Sequence, residues 1–326
     1  MGKAVLLLFL VVQCYALNEE GYGIGKPNHF LGRWFNRLFH GEQNSDETVT
    51  RMPFGKKTKK PKPGDIQPLV DAMIEADIYA AGPKDYKVNY GNPVSGTTDQ
   101  STNDLFYDVN ETVFQQPVYD VLIKLVENGV FYHDVCEAEK PMTGLRKVHA
   151  QLLLDTWTDT EVFRLAYEFL HSNNEPHSSS FASLKKFLFD FWFGRYSRCS
   201  GTMGSSGFEH VFTGEWKSGT VGGHHSWVTY YLAQKAGKIN YHGYYTKLGT
   251  LTGTFQYKWE TYLKKKGGML FGTSPAFDFS LFTVCALLHP GSNTCKYRIN
   301  GTPLAVTSYT QTCNAGTCLS TAYPTN

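Results

Sequence analysis

The spacing of apolar residues changes near Cys199, and this change constrains the fold more than any other feature of the sequence. Before Cys199, apolar residues recur every three or four positions, as they do on the buried face of a helix. Five predicted helices follow from this spacing, at about 65–78, 117–128, 148–154, 162–170 and 184–192. After Cys199, Gly and Ser separate short β-prone runs at 208–216, 251–259 and 304–309. One helix is predicted there, at 226–235, so the chain is expected to be an α+β protein of two packed parts.

The first 16 residues have the pattern of a secretory signal peptide. Lys3 precedes an apolar run at 4–12, and Cys14-Tyr15-Ala16 forms a small-x-small cleavage site. No later stretch approaches the roughly 20 apolar residues that a membrane-spanning helix needs. We therefore expect a secreted protein without a membrane span.

The composition of residues 17–64 predicts a flexible basic arm. It ends in a Lys- and Pro-rich run at 56–63, which repels itself and cannot bury a core. Within the arm, apolar pairs recur every four residues between 30 and 39, with Arg33 and Arg37 between them, as in a short basic amphipathic helix. This helix could contact an anionic surface such as a membrane or RNA, but docking on the protein's own surface is the favoured interpretation.

Net charge and cysteine content narrow the classes of protein to which the chain could belong. The formal net charge is only +2, so any contact with nucleic acid must be local. Removal of Cys14 with the signal leaves six cysteines, an even number that favours disulfides in an exported chain, although 15 pairings are open. Asn110 and Asn300 begin glycosylation sequons, which agrees with secretion.

Three histidines lie within 16 residues, at His210, His224 and His225. If 208–216 is a strand, His210 shares a face with two phenylalanines, which would lower its pKa by desolvation. His225 precedes Ser226, a predicted helix N-cap. Two imidazoles and an ammonium meet the needs of RNA cleavage, since one ring removes the 2′-OH proton, the other protonates the leaving oxygen, and the ammonium stabilises the phosphorane. From spacing alone, ordinary core or surface histidines are the more common alternative.

Metal binding is the second interpretation of this cluster. The residues His210, Glu215, His224 and His225 could ligate zinc, but their spacing does not match the His-Glu-x-x-His motif. Glu209 and Glu215 could instead bind a hard divalent cation, calcium or manganese.

The ordered motifs around these histidines resemble those of the EndoU family, also called the poly(U)-specific endoribonuclease or placental protein 11-like family. The stretch 206–215, then Gly223-x-His225-x-Trp227, then Tyr241-x-Gly243-Tyr244 carry the likeness, which covers about residues 65–322. The resemblance implies an α+β fold whose catalytic half contains two antiparallel sheets. It also implies a metal-stimulated endoribonuclease that cuts single-stranded RNA at uridylates and leaves 2′,3′-cyclic phosphate ends.

The resemblance implies roles for five residues. His225 matches the general base, His210 the general acid and Lys264 the catalytic lysine, while Thr307 and Tyr309 match residues that bind the ribose or base. The chain departs from the family at Gly268, where many relatives have a serine that is a candidate for reading uracil. Strict uridine preference is therefore in doubt.

Two other functions compete with an active ribonuclease. A secreted RNA-binding module that lost turnover would fit Gly268 and the basic arm. A protease would need a nucleophile motif such as Gly-x-Ser-x-Gly, which the sequence lacks. We expect the ribonuclease to act as a monomer.

Overall fold

The computed structural model describes residues 64–325. The predicted signal peptide and almost all of the predicted arm, including its amphipathic helix, lie outside the described residues. No helix between residues 64 and 325 combines the length and the apolar character that crossing a bilayer requires.

Seven α-helices occur in the described part of the chain, and five of them precede Cys199. They are α1 (Gln67–Ala76), α2 (Pro117–Glu127), α3 (Gly144–Thr158), α4 (Glu161–Ser172), α5 (Phe181–Phe193), α6 (Trp227–Lys235) and α7 (Pro275–Leu288). Local sequence signals determine where several of these helices begin. The Thr160 and Ser180 hydroxyls cap α4 and α5, and Pro117 begins α2, where its missing N–H costs nothing. The helical N-terminal half is therefore as the spacing predicts.

Two larger sheets form the C-terminal half. The strands are β1 (Lys87–Val88), β2 (Phe106–Tyr107), β3 (Arg195–Tyr196), β4 (Ser205–Ser206), β5 (Glu215–Lys217), β6 (Thr220–Gly222), β7 (Ile239–Leu248), β8 (Thr252–Trp259), β9 (Tyr262–Leu270), β10 (Gly291–Ile299), β11 (Thr302–Cys313) and β12 (Gly316–Thr325). Five strands pair in the order β5-β6-β9-β8-β7, antiparallel except for one β6–β9 contact, and three pair antiparallel as β10-β11-β12. Two further sheets have only two strands each: β1 pairs with β2, and β3 pairs with β4. The predicted α+β fold with two sheets is confirmed.

Helix α7 joins the two halves, and the sequence pattern did not predict it. Every residue from Pro275 to Ala286 is buried. A helix that is buried on every side has no exposed polar face, so the spacing of its apolar residues shows no helical period. The Phe279 ring lies 5.4 Å from Trp157 and 4.9 Å from Trp192, and the Trp192 indole donates to the Thr283 hydroxyl at 3.0 Å. Through these contacts, α3, α5 and α7 share one hydrophobic core.

The predicted strand at 208–216 is wrong. Residues Glu209–Thr213 form a π-helical turn, and only Glu215–Lys217 pair as a strand. Phe208 and Phe212 are four apart, a spacing that fits one face of a helix as well as one face of a strand, and their rings lie 5.1 Å apart. Gly214, at φ 75°, then ends the turn.

The six cysteines outside the predicted signal peptide form three disulfides, as their even number predicts. The pairs, which the sequence left open, are Cys136–Cys199, Cys285–Cys295 and Cys313–Cys318. The second joins α7 to β10, and the third closes the hairpin between β11 and β12.

Candidate active site

His210 is held by a carboxylate that is itself anchored. The Nδ1 atom of His210 lies 2.6 Å from Oε1 of Glu215. The Ser205 hydroxyl donates to Oε2 of Glu215 at 2.7 Å, and Nε of Arg198 lies 2.9 Å from Oε1. A carboxylate only accepts hydrogen bonds, so Nδ1 of His210 carries a hydrogen and Nε2 is left for a substrate.

His225 lies two residues before α6 and is held mainly by backbone groups. Its N–H donates to the Val211 carbonyl at 2.7 Å, and Nδ1 lies 2.8 Å from the Gly268 carbonyl oxygen in β9. Since a carbonyl oxygen cannot donate, Nδ1 carries the hydrogen and Nε2 of the neutral ring is an acceptor. The Tyr323 ring stacks on His225, with centroids 4.8 Å apart and planes at 20°.

Lys264 supplies the positive charge from strand β9. Its side chain is buried, and Nζ donates to the Gly223 carbonyl. Burial lowers the pKa of Lys264 to about 8, while the charge of Glu215 opposes this shift. The ammonium is therefore still the main form at neutral pH.

The three side chains that the resemblance selects lie together. The rings of His210 and His225 have centroids 6.1 Å apart at 55°. The charge of Lys264 reaches both rings, where it adds to the effect of burial in lowering their pKa values. One scissile phosphodiester placed between these groups would meet two imidazoles and one ammonium.

The two histidines differ in how readily they take up a proton. Burial lowers the pKa of His210, but Glu215 opposes the shift through charge and a hydrogen bond. Burial lowers the pKa of His225 well below its ordinary value, and Lys264 and His210 add to the effect. His210 therefore protonates before His225, which fits His210 as an acid and His225 as a base.

A tight turn between β6 and α6 brings the two histidines together. Gly223 has φ 58°, and a Cβ on it would lie 1.7 Å from the His210 carbonyl oxygen. His224 follows at φ 63°, and its N–H donates to that same carbonyl at 2.7 Å. Only glycine fits at 223, so the backbone of this turn packs directly on that of the π-helical turn.

His224 turns away from the other two histidines. Its Nδ1 lies 2.8 Å from the Tyr257 hydroxyl, and its ring lies 4.4 Å from Trp259 in the core. Among residues 64–325, no group of three or more His, Cys, Asp or Glu side chains is arranged to hold a metal ion. The zinc interpretation therefore has no ligand set in this part of the chain.

Glu209 and Glu215, the predicted cation ligands, do not fit a divalent cation as they stand. Glu209 is fully buried, neither carboxyl oxygen has a hydrogen-bond partner, and burial with the nearby charges of Glu215 and Glu139 raises its pKa well above the ordinary value. Such a group holds its proton, whereas calcium and manganese prefer ionised oxygens. Both oxygens of Glu215 are already taken by His210, Ser205 and Arg198. Divalent-cation stimulation stays a prediction.

Thr307 and Tyr309 lie on β11, next to the strand that carries Tyr323. Thr307 is paired with Tyr323 across β11 and β12 and is buried, and its hydroxyl accepts from the Asn293 N–H at 3.0 Å. Tyr309, two residues on, points to the same face and is 47% exposed. Tyr323, stacked on His225, connects these two residues to the histidines.

Three residues at the site were not singled out from the sequence. Arg198 and Ser205 hold Glu215, and Tyr323 covers His225. Each is an isolated residue of a common type in the linear sequence. Only the pairing of β11 with β12 and the packing of β4 against the π-helical turn bring them to the histidines.

Comparison with known proteins assigns the family. The family model for endoribonuclease XendoU matches residues 65–324. Uridylate-specific endoribonuclease D of Xenopus laevis is 36% identical over 258 residues, which are 76% of this chain and 82% of that protein. Uridylate-specific endoribonuclease of Homo sapiens is 32% identical over 262 residues, 76% of this chain but only 61% of that protein.

A solved structure agrees with these relatives. The structure of XendoU, described as a splicing-independent snoRNA-processing endoribonuclease, superposes with a TM-score of 0.64 at 26% identity, over 79% of this chain and 96% of that one. The likeness thus extends through both the helical half and the two sheets. This chain belongs to the XendoU, or EndoU, family of endoribonucleases.

Proposed function

We propose that this protein is a secreted endoribonuclease that cuts single-stranded RNA, preferentially at uridylates, and leaves 2′,3′-cyclic phosphate ends. The observation that carries the proposal is the pair of histidines, His210 and His225, with ring centroids 6.1 Å apart and with different protonation preferences beside one buried ammonium. Relatives named uridylate-specific endoribonucleases support the choice of substrate.

The reaction follows from the atoms that each side chain presents. Nε2 of His225 takes the proton of the ribose 2′-OH, and the 2′ oxygen attacks phosphorus. Nε2 of protonated His210 gives its proton to the 5′ oxygen as the phosphorus–oxygen bond to it breaks. The products are a 2′,3′-cyclic phosphate and a free 5′-OH, and the ammonium of Lys264 stabilises the negative charge of the phosphorane.

The tyrosines fit the recognition of an unpaired base. Tyr309 offers a ring that is 47% exposed, and stacking on such a ring holds single-stranded RNA with little sequence preference. The Thr307 hydroxyl lies beside it. Base preference must then depend on polar groups near position 268, where this chain has no side chain.

The test is a labelled RNA oligomer that contains a single uridine, cleaved by the purified protein with and without calcium or manganese. We expect one cut, a cyclic phosphate end, and loss of activity of at least about 10²-fold in His225→Ala, as for removal of a general base. His149→Ala, a half-buried helix residue remote in the chain, is the matched control. Cleavage by His225→Ala at the control rate would contradict the assigned base.

An inactive RNA-binding module is the competing function. It predicts RNA binding without cut products under every cation condition, with His225→Ala and the unmodified protein behaving alike.

Secretion rests on the signal-peptide pattern, and the three disulfides support it because such bonds persist in oxidising compartments. Expression of the full chain in cultured animal cells should place the protein in the medium. Retention in the cytosol with reduced cysteines would contradict this part of the proposal.

A further inference from the structure

Strand β7 carries a bulge that exposes a tyrosine. Between the pairs Tyr244–Phe255 and Thr246–Thr254, β7 has one more residue than β8, and that residue is Tyr245. Its side chain is 44% exposed. Bulges redirect side chains and often occur beside functional sites, so this exposed ring has a defined geometric origin.

Strand β9 carries a second bulge on the other side of β8. Opposite the single residue Gln256, β9 has two residues, Lys265 and Lys266, and both are exposed. The two bulges therefore flank β8 at adjacent positions, one beside Phe255 and Thr254 and the other opposite Gln256. Together they bring one aromatic ring and two ammonium groups to the same area of the sheet.

A buried side chain fixes this exposed ring. Gln256 is 1% exposed, and its Nε2 donates to the Tyr245 hydroxyl at 3.1 Å. The same hydroxyl donates to the Lys265 carbonyl at 3.0 Å. The Tyr245 hydroxyl is thus held by groups of both β8 and β9, and the Nζ of Lys266 lies 6.0 Å from the centroid of the ring.

The charge of this area is not neutralised by neighbouring acids. Of the ion pairs found within residues 64–325, none includes Lys247, Lys265 or Lys266. Lys247 lies on β7 with its Nζ 4.5 Å from the Tyr244 centroid. Two of these three ammonium groups lie over tyrosine rings and none is in an ion pair, an arrangement that fits a single-stranded polyanion with unpaired bases.

The area adjoins the candidate active site along β9, because Lys265 and Lys266 directly follow Lys264. Lys264 and Gly268, which contact Gly223 and His225, lie on either side of the bulge. Gln256 points to the opposite face of the sheet from its neighbour Tyr257, which is paired with Lys264. Tyr245, which is hydrogen-bonded to Gln256, lies on that opposite face, so only an RNA strand several nucleotides long could contact both the histidines and Tyr245.

We propose that Tyr245, Lys265 and Lys266 form a second RNA subsite, which stacks one unpaired base and binds the phosphates of nucleotides that flank the cleaved bond. This inference rests on the proposed ribonuclease function. The second subsite gives the enzyme a preference for long single-stranded RNA over dinucleotides, because only a longer RNA strand reaches both the histidines and the subsite.

The test compares kcat/KM for a uridine-containing dinucleotide and for a 12-residue single-stranded oligomer with one uridine. We expect Tyr245→Ala to lower the ratio of oligomer to dinucleotide kcat/KM by at least about fivefold, the lower end of what stacking one base contributes. For the double variant Lys265→Gln with Lys266→Gln, the slope of log kcat/KM for the oligomer against log salt should become shallower by about 1.4, since each phosphate contact to a single strand contributes about 0.7.

The matched control is Lys84→Gln with Lys186→Gln, two exposed lysines that lie away from the sheet in sequence and remove the same charge. It should keep both the ratio and the salt slope. Unchanged ratio and slope in the Tyr245 and Lys265/Lys266 variants would overturn the subsite while leaving the ribonuclease intact. Failure of the unmodified protein to cleave either substrate would instead overturn the proposed function and, with it, the subsite.

Discussion

At the scale of single residues, Glu215 controls how His210 titrates. Its charge and hydrogen bond oppose the effect of burial on the pKa of His210. Glu215→Gln removes that charge, so the pKa of His210 should fall further. An acid works only while protonated, and activity is lost as pH rises through its pKa, so the descending limb of the pH dependence of kcat/KM should move to lower pH. Glu168→Gln, on the exposed face of α4, is the control.

The same experiment separates the two histidine roles. If His210 were the base, it would work only when neutral, and a lower pKa would move the ascending limb instead. Movement of the ascending limb in Glu215→Gln would therefore reverse the assignment of acid and base.

Gly268 offers a direct test of uridine preference. Its backbone does not have a left-handed φ, and a Cβ there would lie 3.3 Å from the Gly253 carbonyl and 3.6 Å from that of Pro324, so a small side chain fits after a slight shift. Gly268→Ser adds the hydroxyl that many members of the family have. We expect the ratio of kcat/KM at uridine to that at cytidine to rise about tenfold, the value of one hydrogen bond. Gly268→Ala should leave the ratio unchanged, and an equal rise in Ala would contradict a hydroxyl effect.

The residues selected from the sequence were those in continuous motifs. His210 and His225 lie in two motifs joined by the β5–β6 hairpin, and Lys264 lies eight residues before Gly272 of a Gly-x-Ser-Pro motif at 272–275, so linear patterns found all three. Arg198 and Tyr323 reach the site only through the pairing and packing of distant strands. No local pattern could have indicated them.

At the scale of elements, the turn that carries Gly223 holds His210 and His225 next to each other. Gly223→Ala would place a methyl group 1.7 Å from the His210 carbonyl oxygen at φ 58°. We expect a loss of about 2–4 kcal/mol in the free energy of unfolding, from overpacking and left-handed strain together, and loss of cleavage. Urea denaturation measures the first and the oligomer assay the second.

Gly219→Ala is the control for this substitution. Gly219 has φ 77°, but a Cβ there would meet nothing within 4 Å. It should therefore cost only about 1 kcal/mol, the backbone term alone, and keep activity. Equal losses in the two variants would show that the contact with His210 is not what makes Gly223 necessary.

Prediction of elements succeeded where a helix or strand has one polar face. Helices α2 and α4 have such a face and were predicted from their spacing. Helix α7 is buried on all sides, and the π-helical turn has too few residues to show its own period. Both failures concern the elements that build the core and the site.

At the scale of the whole molecule, the disulfides should differ in what they contribute. Cys136–Cys199 closes a loop with a sequence separation of 63, and Cys313–Cys318 one of 5. Loop entropy in the unfolded chain predicts a loss of about 4 kcal/mol on replacing the first pair by serine and about 2 kcal/mol for the second. Urea denaturation of the two double-serine variants tests the difference. A larger loss from the Cys313–Cys318 pair would contradict loop entropy as the main contribution.

The two halves of the molecule meet in one core, through α7. Its rings contact helices of the first half, and its disulfide reaches the three-stranded sheet. Because the site lies in the C-terminal half, the helices before Cys199 support it indirectly, by packing against the elements that carry it.

The backbone oxygen at position 268 has a consequence for how this enzyme could change its choice of nucleotide. It orients the ring of His225, and every amino acid has that same oxygen. Under the proposed mechanism, a small side chain at residue 268 could therefore change the base that is accepted without changing the alignment of the ring that takes up the proton. Base selectivity and proton transfer would then depend on different atoms of one residue.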